Sequence, residues 1–209
     1  MVVTPLAIDL YCGLGGWTEG LLAEGYRVVG FDCEQHVYGE ARYPAQLVIQ
    51  DVLTIHGAQF KDAALIVASP PCQAYSYRAM PWKRAKALPP PDNTLFEACF
   101  RIQREASGAA GHHIPLVVEN VCGAQKWVGR ARWHCGPYYF WGDVPALMPI
   151  GGNRFRKGAG SGRIWWQNNS RSSSRSDARR EWSMSVAMIP IEISRHIGKC
   201  FKPILSSVA

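Results

Sequence analysis

The chain has 209 residues, 47% of them hydrophobic, and a formal net charge of +7. That length suits one α/β domain with at most a small appendage, and the apolar fraction is enough for a sizeable core. An odd count of seven cysteines without a secretory signal argues against a disulfide framework, and no apolar run approaches membrane-spanning length, so a soluble, intracellular protein with reduced thiols and no membrane partner is expected.

Leu6-Ala7-Ile8-Asp9-Leu10-Tyr11 reads as a buried strand. Cys12-Gly13-Leu14-Gly15-Gly16 follows as a tight turn, and Trp17 to Ala23 as a short helix closed by Gly25. The glycine spacing differs from the dinucleotide fingerprint, but a loop this tight lets a ligand press against the backbone. A second strand, Arg27 to Phe31, ends at Asp32, at about the interval where α/β folds place a ribose-binding carboxylate. Loop and acid together point to an adenosine-containing cofactor, against the plainer reading of a turn cluster and a surface Asp. Leu47 to Gln50 gives a third strand ending at Asp51, which can accept from an adenine amino group or cap the following turn.

The fourth apolar run, Leu65-Ile66-Val67-Ala68, leads into Ser69-Pro70-Pro71-Cys72-Gln73. The prolines stop the strand, because Pro donates no ladder hydrogen bond and restricts the residue before it. Cys72 is thus presented at a strand's carboxyl end, where open α/β sheets place their ligands. Ala74 to Asn93 is long for a connection and carries Lys83, Arg84 and Lys86, placed to grip a phosphate backbone. Leu95 to Ala106 has a helical apolar face in Leu95, Cys99 and Ile102, and Gly108 to His113 is expected to end it. No Cys or carboxylate at ligand spacing accompanies His112 and His113, so no metal site is expected. Leu116-Val117-Val118 is a further buried strand, delivering Glu119 and Asn120.

Arg130 to Trp133 and Tyr138 to Trp141 read as paired strands around Cys135-Gly136-Pro137, with Arg130 and Arg132 on one face. Residues 151 to 181 hold eight basic residues against two acids and so carry six of the seven net charges. Such a stripe, rich in Gly, Ser and Asn, is either a footprint for a polyanion or a solvated basic loop. Pro190 starts a last helix whose Ile193, Ile197 and Phe201 should pack back on the body.

A thiol and a carboxylate at the mouth of one sheet, beside an adenosine pocket, suggest a definite chemistry. A thiolate adds to an electron-poor carbon such as carbon 6 of a pyrimidine, and carbon 5 then takes an activated methyl group. Glu119 would hold the ring nitrogen and exocyclic amine, and Arg132 the ring carbonyl. A base in a duplex must be flipped out to reach such a site.

In these residues the chain resembles the cytosine carbon-5 DNA methyltransferase family. Asp9-Leu10-Tyr11-Cys12-Gly13-Leu14-Gly15-Gly16 resembles its first motif, Gly30-Phe31-Asp32 its second and Gln50-Asp51-Val52 its third. Pro71-Cys72-Gln73 matches the nucleophile motif, Glu119-Asn120-Val121 the acid motif, and Asn93-Thr94-Leu95-Phe96 is similar to a cofactor-contacting helix start. The resemblance implies a Rossmann-like S-adenosylmethionine-dependent methyltransferase fold: α/β, a mostly parallel sheet with helices on both faces, plus a small irregular basic insertion. It implies S-adenosylmethionine as cofactor. Tyr11 and Cys33 would lie against adenine, Gly13, Leu14 and Gly16 line the methionine part, Asp32 bind ribose, Asp51 take the adenine amino group, and Val52, Pro71 and Leu95 add contacts. Asn120 would brace the loop carrying Cys72. Arg130 and Arg132 stand for the family's arginine motif, with Val128 where a Gln is usual. Val186-Ala187-Met188-Ile189-Pro190 is the nearest match to the last motif, and its Asn is missing.

The implied layout is a catalytic and cofactor-binding domain over 1–149, a reduced basic target-recognition segment over 150–185, and a C-terminal helix within 186–209. Double-stranded DNA would be met by Gln73, Lys83, Arg84, Arg154, Arg156, Lys157, Arg163, Arg171 and Arg175. So small a recognition segment, as in phage-borne enzymes, implies a short target, low sequence specificity or a separate recognition subunit; a monomer is favoured. The implied activity is DNA cytosine-5 methylation in the cytoplasm of a bacterial or phage-infected cell, in restriction-modification or other DNA marking. Two alternatives remain open: the same chemistry on RNA such as tRNA, and a non-catalytic nucleic-acid-binding module.

Overall fold

The computed structural model describes residues 4–38, 40–76, 87–149 and 188–203. The strands are β1 (Leu6–Leu10), β2 (Arg27–Asp32), β3 (Val37–Tyr38), β4 (Ala41–Arg42), β5 (Gln46–Ile49), β6 (Ala63–Ala68), β7 (Leu116–Asn120), β8 (Trp133–Cys135) and β9 (Tyr138–Gly142). The helices are α1 (Gly16–Ala23), α2 (Thr94–Ala110), α3 (Gln125–Val128) and α4 (Ile191–Phe201). Seven strands form one sheet in the order β5-β2-β1-β6-β7-β9-β8. β5, β2, β1, β6 and β7 run parallel, and β9 enters antiparallel between β7 and β8.

The chain winds outward from β1 through β2 to β5, then returns to β6 on the other side of β1. The carboxyl ends of β1 and β6 therefore flank the switch point, where an open sheet leaves a crevice. Central strands covered on both faces should be continuously apolar, as β6 is. Its Leu65 and Val67 join a core with Trp17 and Leu21 of α1 and Ile193 and Ile197 of α4. Its Ile66 and Ala68 join the opposite core with Phe96, Cys99 and Ile102 of α2. This is the Rossmann-like architecture expected, with helices on both faces.

α4 docks on α1 so closely that a Cβ on Gly20 would collide with Ser194. Tyr26 Oη donates to the Gly198 carbonyl at 2.9 Å and Arg195 Nε to Glu24 Oε1 at 2.7 Å, fastening the same pair. Among the described residues no helix is long and apolar enough to cross a membrane.

Two local expectations are corrected. α2 runs past Ala106 to Ala110 and ends inside the expected Gly108–His113 stretch, where Gly111 takes a left-handed φ of 73°. The β8–β9 hairpin begins at Trp133, so Arg130 and Arg132 lie ahead of it, just after Gly129 at φ 91°; only the Arg132 N–H extends the pairing, to the Phe140 carbonyl at 2.8 Å. The two-residue hairpin β3–β4 was not foreseen, being too short to show a period. His113 Nε2 lies 3.0 Å from Asp143 Oδ2, which also accepts from the Leu116 N–H at the start of β7. The basic segment over 150–185 lies outside the described residues.

Candidate active site

At the end of β1 the backbone turns through Tyr11, Gly13 and Gly15, with φ of 57°, 52° and 89°. Positive φ is unusual for a tyrosine. Its hydroxyl is anchored far along the chain, donating to the Leu95 carbonyl at 2.8 Å. The loop closes on itself through Gly15 N–H to the Cys12 carbonyl at 2.8 Å. Asp32, at the end of β2, holds it from the side: Oδ2 accepts from Gly13 N–H at 2.9 Å and Oδ1 from Cys33 N–H at 2.8 Å.

Asp51 follows β5 and caps a 3₁₀ turn, its Oδ1 accepting from Leu53 N–H at 2.9 Å. Arg101 of α2 reaches the same turn and donates to the carbonyls of Ile55 and Leu53. Val52 and Leu95 form the apolar wall beside it.

Register explains the rest. Ala68 of β6 pairs with Val118 of β7, so the next residues, Ser69 and Pro70, fall beside Glu119 and Asn120. Asn120 Nδ2 donates to the Pro70 carbonyl at 2.9 Å, and Ser69 Oγ to Glu119 Oε2 at 3.3 Å. The chain turns after the prolines, with Tyr75 N–H on the Cys72 carbonyl at 3.0 Å. Cys72 is half-buried, Glu119 is 8% exposed and Asn120 is buried.

These parts enclose one cavity of about 350 Å³. Tyr11, Gly13, Leu14, Gly16, Asp32, Cys33, Asp51, Val52, Pro71, Cys72, Gln73, Leu95 and Glu119 all line it. The structure thus brings the candidate nucleophile, acid and cofactor residues to one wall. Arg130 and Arg132 are exposed and lie off that wall. Lys83, Arg84, Arg154, Arg156, Lys157, Arg163, Arg171 and Arg175 fall outside the described residues.

The wall also contains Trp17, Glu34 and His36, to which the sequence assigns no role, together with Ser69 ahead of the proline pair and Met188 and Ile189. His36 Nε2 is 3.6 Å from Asp32 Oδ1. Met188 and Ile189 bring the last motif to the cavity although its Asn is missing. A Cβ on Gly16 would sit 2.6 Å from the Ile189 nitrogen, and Tyr138 Oη holds the Met188 carbonyl at 3.0 Å. The glycine after Gly15 was the available signal, since it admits that backbone.

Cys12 and Cys33 share the wall with Cys72. Burial pushes the Cys12 thiol far up, and Asp9 and Asp32 add to it. Desolvation raises the Cys33 thiol, followed by the charge of Asp32. Both are held toward the neutral thiol, a poor nucleophile.

Residues 6–126 match the C-5 cytosine-specific DNA methylase family. Among solved structures, the chain is similar to an E. coli prophage protein assigned as a DNA modification methyltransferase: 23% identity, TM-score 0.42, covering 60% of this chain and 34% of that one. It is also similar to the S. pombe Dnmt2 methyltransferase, at 17% identity and TM-score 0.39 over 59% of this chain and 36% of that one. The Entamoeba histolytica methyltransferase EhMeth gives 16% identity and TM-score 0.41 over 59% and 40%. The chain therefore spans about a third of the length of the first two. No curated protein sequence matches it.

Proposed function

Because the chain belongs to the C-5 cytosine-specific DNA methylase family, we propose that it transfers a methyl group from S-adenosylmethionine to carbon 5 of cytosine in DNA, with Cys72 as covalent nucleophile. The observation that carries this reading is the shared wall: Cys72 and Glu119 border the same cavity as Asp32, Asp51 and the glycine loop.

The cavity's chemistry fits the cofactor. Two backbone N–H groups fix the Asp32 carboxylate, and Oδ2, which takes the Gly13 N–H, would accept a ribose hydroxyl on its second lone pair. Asp51 would accept the adenine amino group, between apolar contacts from Val52 and Leu95. Gly13 would let the methionine portion approach the backbone, and Leu14 and Gly16 would line it. When bound, S-adenosylmethionine supplies an electrophilic methyl group on a sulfonium.

Cys72, as thiolate, would donate its electron pair to carbon 6 of a flipped cytosine, forming a C–S bond. The carbon 5–carbon 6 π pair moves toward carbon 5 while Glu119 protonates the ring nitrogen, so charge does not build up on the ring. Carbon 5 uses that pair to take the methyl group. A base, water included, would then take the carbon 5 proton; the C–H pair re-forms the double bond, the C–S pair returns to Cys72, and Glu119 takes back the ring-nitrogen proton. Asn120 would keep Cys72 in line by holding the Pro70 carbonyl. Unstacking the base costs a few kcal/mol, offset by contacts from Gln73, from Lys83 and Arg84, and from the basic segment.

The test is methyl transfer from labelled S-adenosylmethionine to random-sequence DNA and, in parallel, to RNA. Label in DNA, with bisulfite sequencing locating it at cytosine, is the expected result. Label in RNA alone would move the substrate to RNA, and label in neither would favour a non-catalytic binding module.

A further inference from the structure

Two hydrogen bonds that the reaction above leaves unused run in sequence, from Trp17 through Ser69 to Glu119. Trp17 Nε1 donates to Ser69 Oγ at 3.1 Å, and Ser69 Oγ donates to Glu119 Oε2 at 3.3 Å. An indole N–H is a donor only, so Ser69 accepts from Trp17 and its own hydroxyl hydrogen is free to point at the carboxyl. Each member of this chain is held independently. Trp17 is 2% exposed and packs edge-on against Phe140, with ring centroids 6.0 Å apart. Phe140 is in turn the cross-strand partner of Glu119. Ser69 is pinned by its N–H on the Leu10 carbonyl at 3.2 Å.

A glutamate has three rotatable side-chain bonds, and a group that must meet a flipped ring in one orientation gains from being held before the ring arrives. We propose that Trp17 and Ser69 are positioning residues for Glu119: the indole orients the Ser69 hydroxyl, and that hydroxyl holds the carboxyl in the rotamer that meets the pyrimidine. A donor on Oε2 also keeps that oxygen an acceptor, so a proton carried by Glu119 resides on Oε1. The inference rests on the reading of Glu119 as the acid that grips the ring.

The test uses random-sequence DNA with 5-fluorocytosine at every cytosine, and the matching RNA. The fluorine blocks the final elimination, so the covalent adduct accumulates and its rate of formation reports only the earlier steps. Wild type should form the adduct. Ser69→Ala should form it about tenfold more slowly or worse, with dissociation constants for S-adenosylmethionine and nucleic acid within about twofold of wild type. Ser69→Thr, which keeps the hydroxyl, should recover most of the rate. Trp17→Phe, which keeps the ring and loses the N–H, should slow adduct formation in the same sense. A wild-type rate in Ser69→Ala overturns the positioning role and leaves the Cys72 reading standing. Equal loss in the Ala and Thr variants, or weakened cofactor binding in proportion to the rate, overturns it in favour of a packing role. No adduct from wild type on either nucleic acid removes the Cys72 reading and this inference with it.

Discussion

Asp9 is a carboxylate buried in surroundings that disfavour its charge. It lies on β1 with 1% exposure, its Oδ2 accepting from Thr18 Oγ1 at 2.7 Å, and its Oδ1 has no partner among the described residues. Burial, with the charge of Asp32 adding and the Thr18 bond opposing, pushes its carboxyl from 3.8 up to about 8. Between those values the unfolded chain has lost the proton and the folded one keeps it. Stability from this group is thus greatest at low pH and falls as pH rises through the window, by up to about 1.4 kcal/mol per unit. In melting curves from about pH 4 to about pH 8, Asp9→Asn should gain steadily on wild type, and a constant gap would contradict the buried acid. For Cys72, the Ser variant should lose methyl transfer by about a thousandfold or more while its melting temperature is unchanged. A variant that still turns over normally would show the nucleophile to be another residue.

At the scale of elements, α4 matters because it does two jobs. Its Ile193 and Ile197 are fully buried against α1 and the sheet, and the residues just before it, Met188 and Ile189, close the cavity. Ile197→Ala should cost about 3 kcal/mol and lower Tm by roughly 6–12 °C. Ile191→Ala, on the exposed side of the same helix, should stay within about 0.5 kcal/mol in the same denaturation experiment. The period of Ile193, Ile197 and Phe201 was legible in the sequence. Its destination was not, because the surface it meets is made by α1 and β6, far away in the chain. The same holds for Arg130 and Arg132: an alternating pair resembles a strand, but Gly129 turns the chain ahead of them and leaves both exposed.

For the molecule as a whole, charge is segregated. Residues 151–181 carry nearly all of the excess, so the rest of the chain is close to neutral. A neutral body with a basic segment should bind nucleic acid chiefly through that segment, releasing counterions as it does. Replacing Arg154, Arg156, Arg163 and Arg171 by Gln should weaken DNA binding in titrations. It should also make the plot of log affinity against log salt shallower by about 0.9 per lost phosphate contact. An unchanged slope would mean the segment does not touch phosphate.

Local composition marked the long parallel strands and what ends them, and missed β3, β4 and the start of β8. A strand covered on both faces must be an unbroken apolar run, so Leu65 to Ala68 and Leu116 to Val118 announced themselves, and the proline pair and the acid after them marked where chemistry-bearing groups emerge. The glycine turn and Asp32 were legible for the same local reason. It took the folded chain to put Cys72 and Glu119 on one wall, Ser69 and Trp17 behind Glu119, and Met188 and Ile189 at the cavity's edge. Those facts follow from the β6–β7 register and from the packing of α4 on α1. Both are pairings between segments tens of residues apart, and local composition carries no record of them.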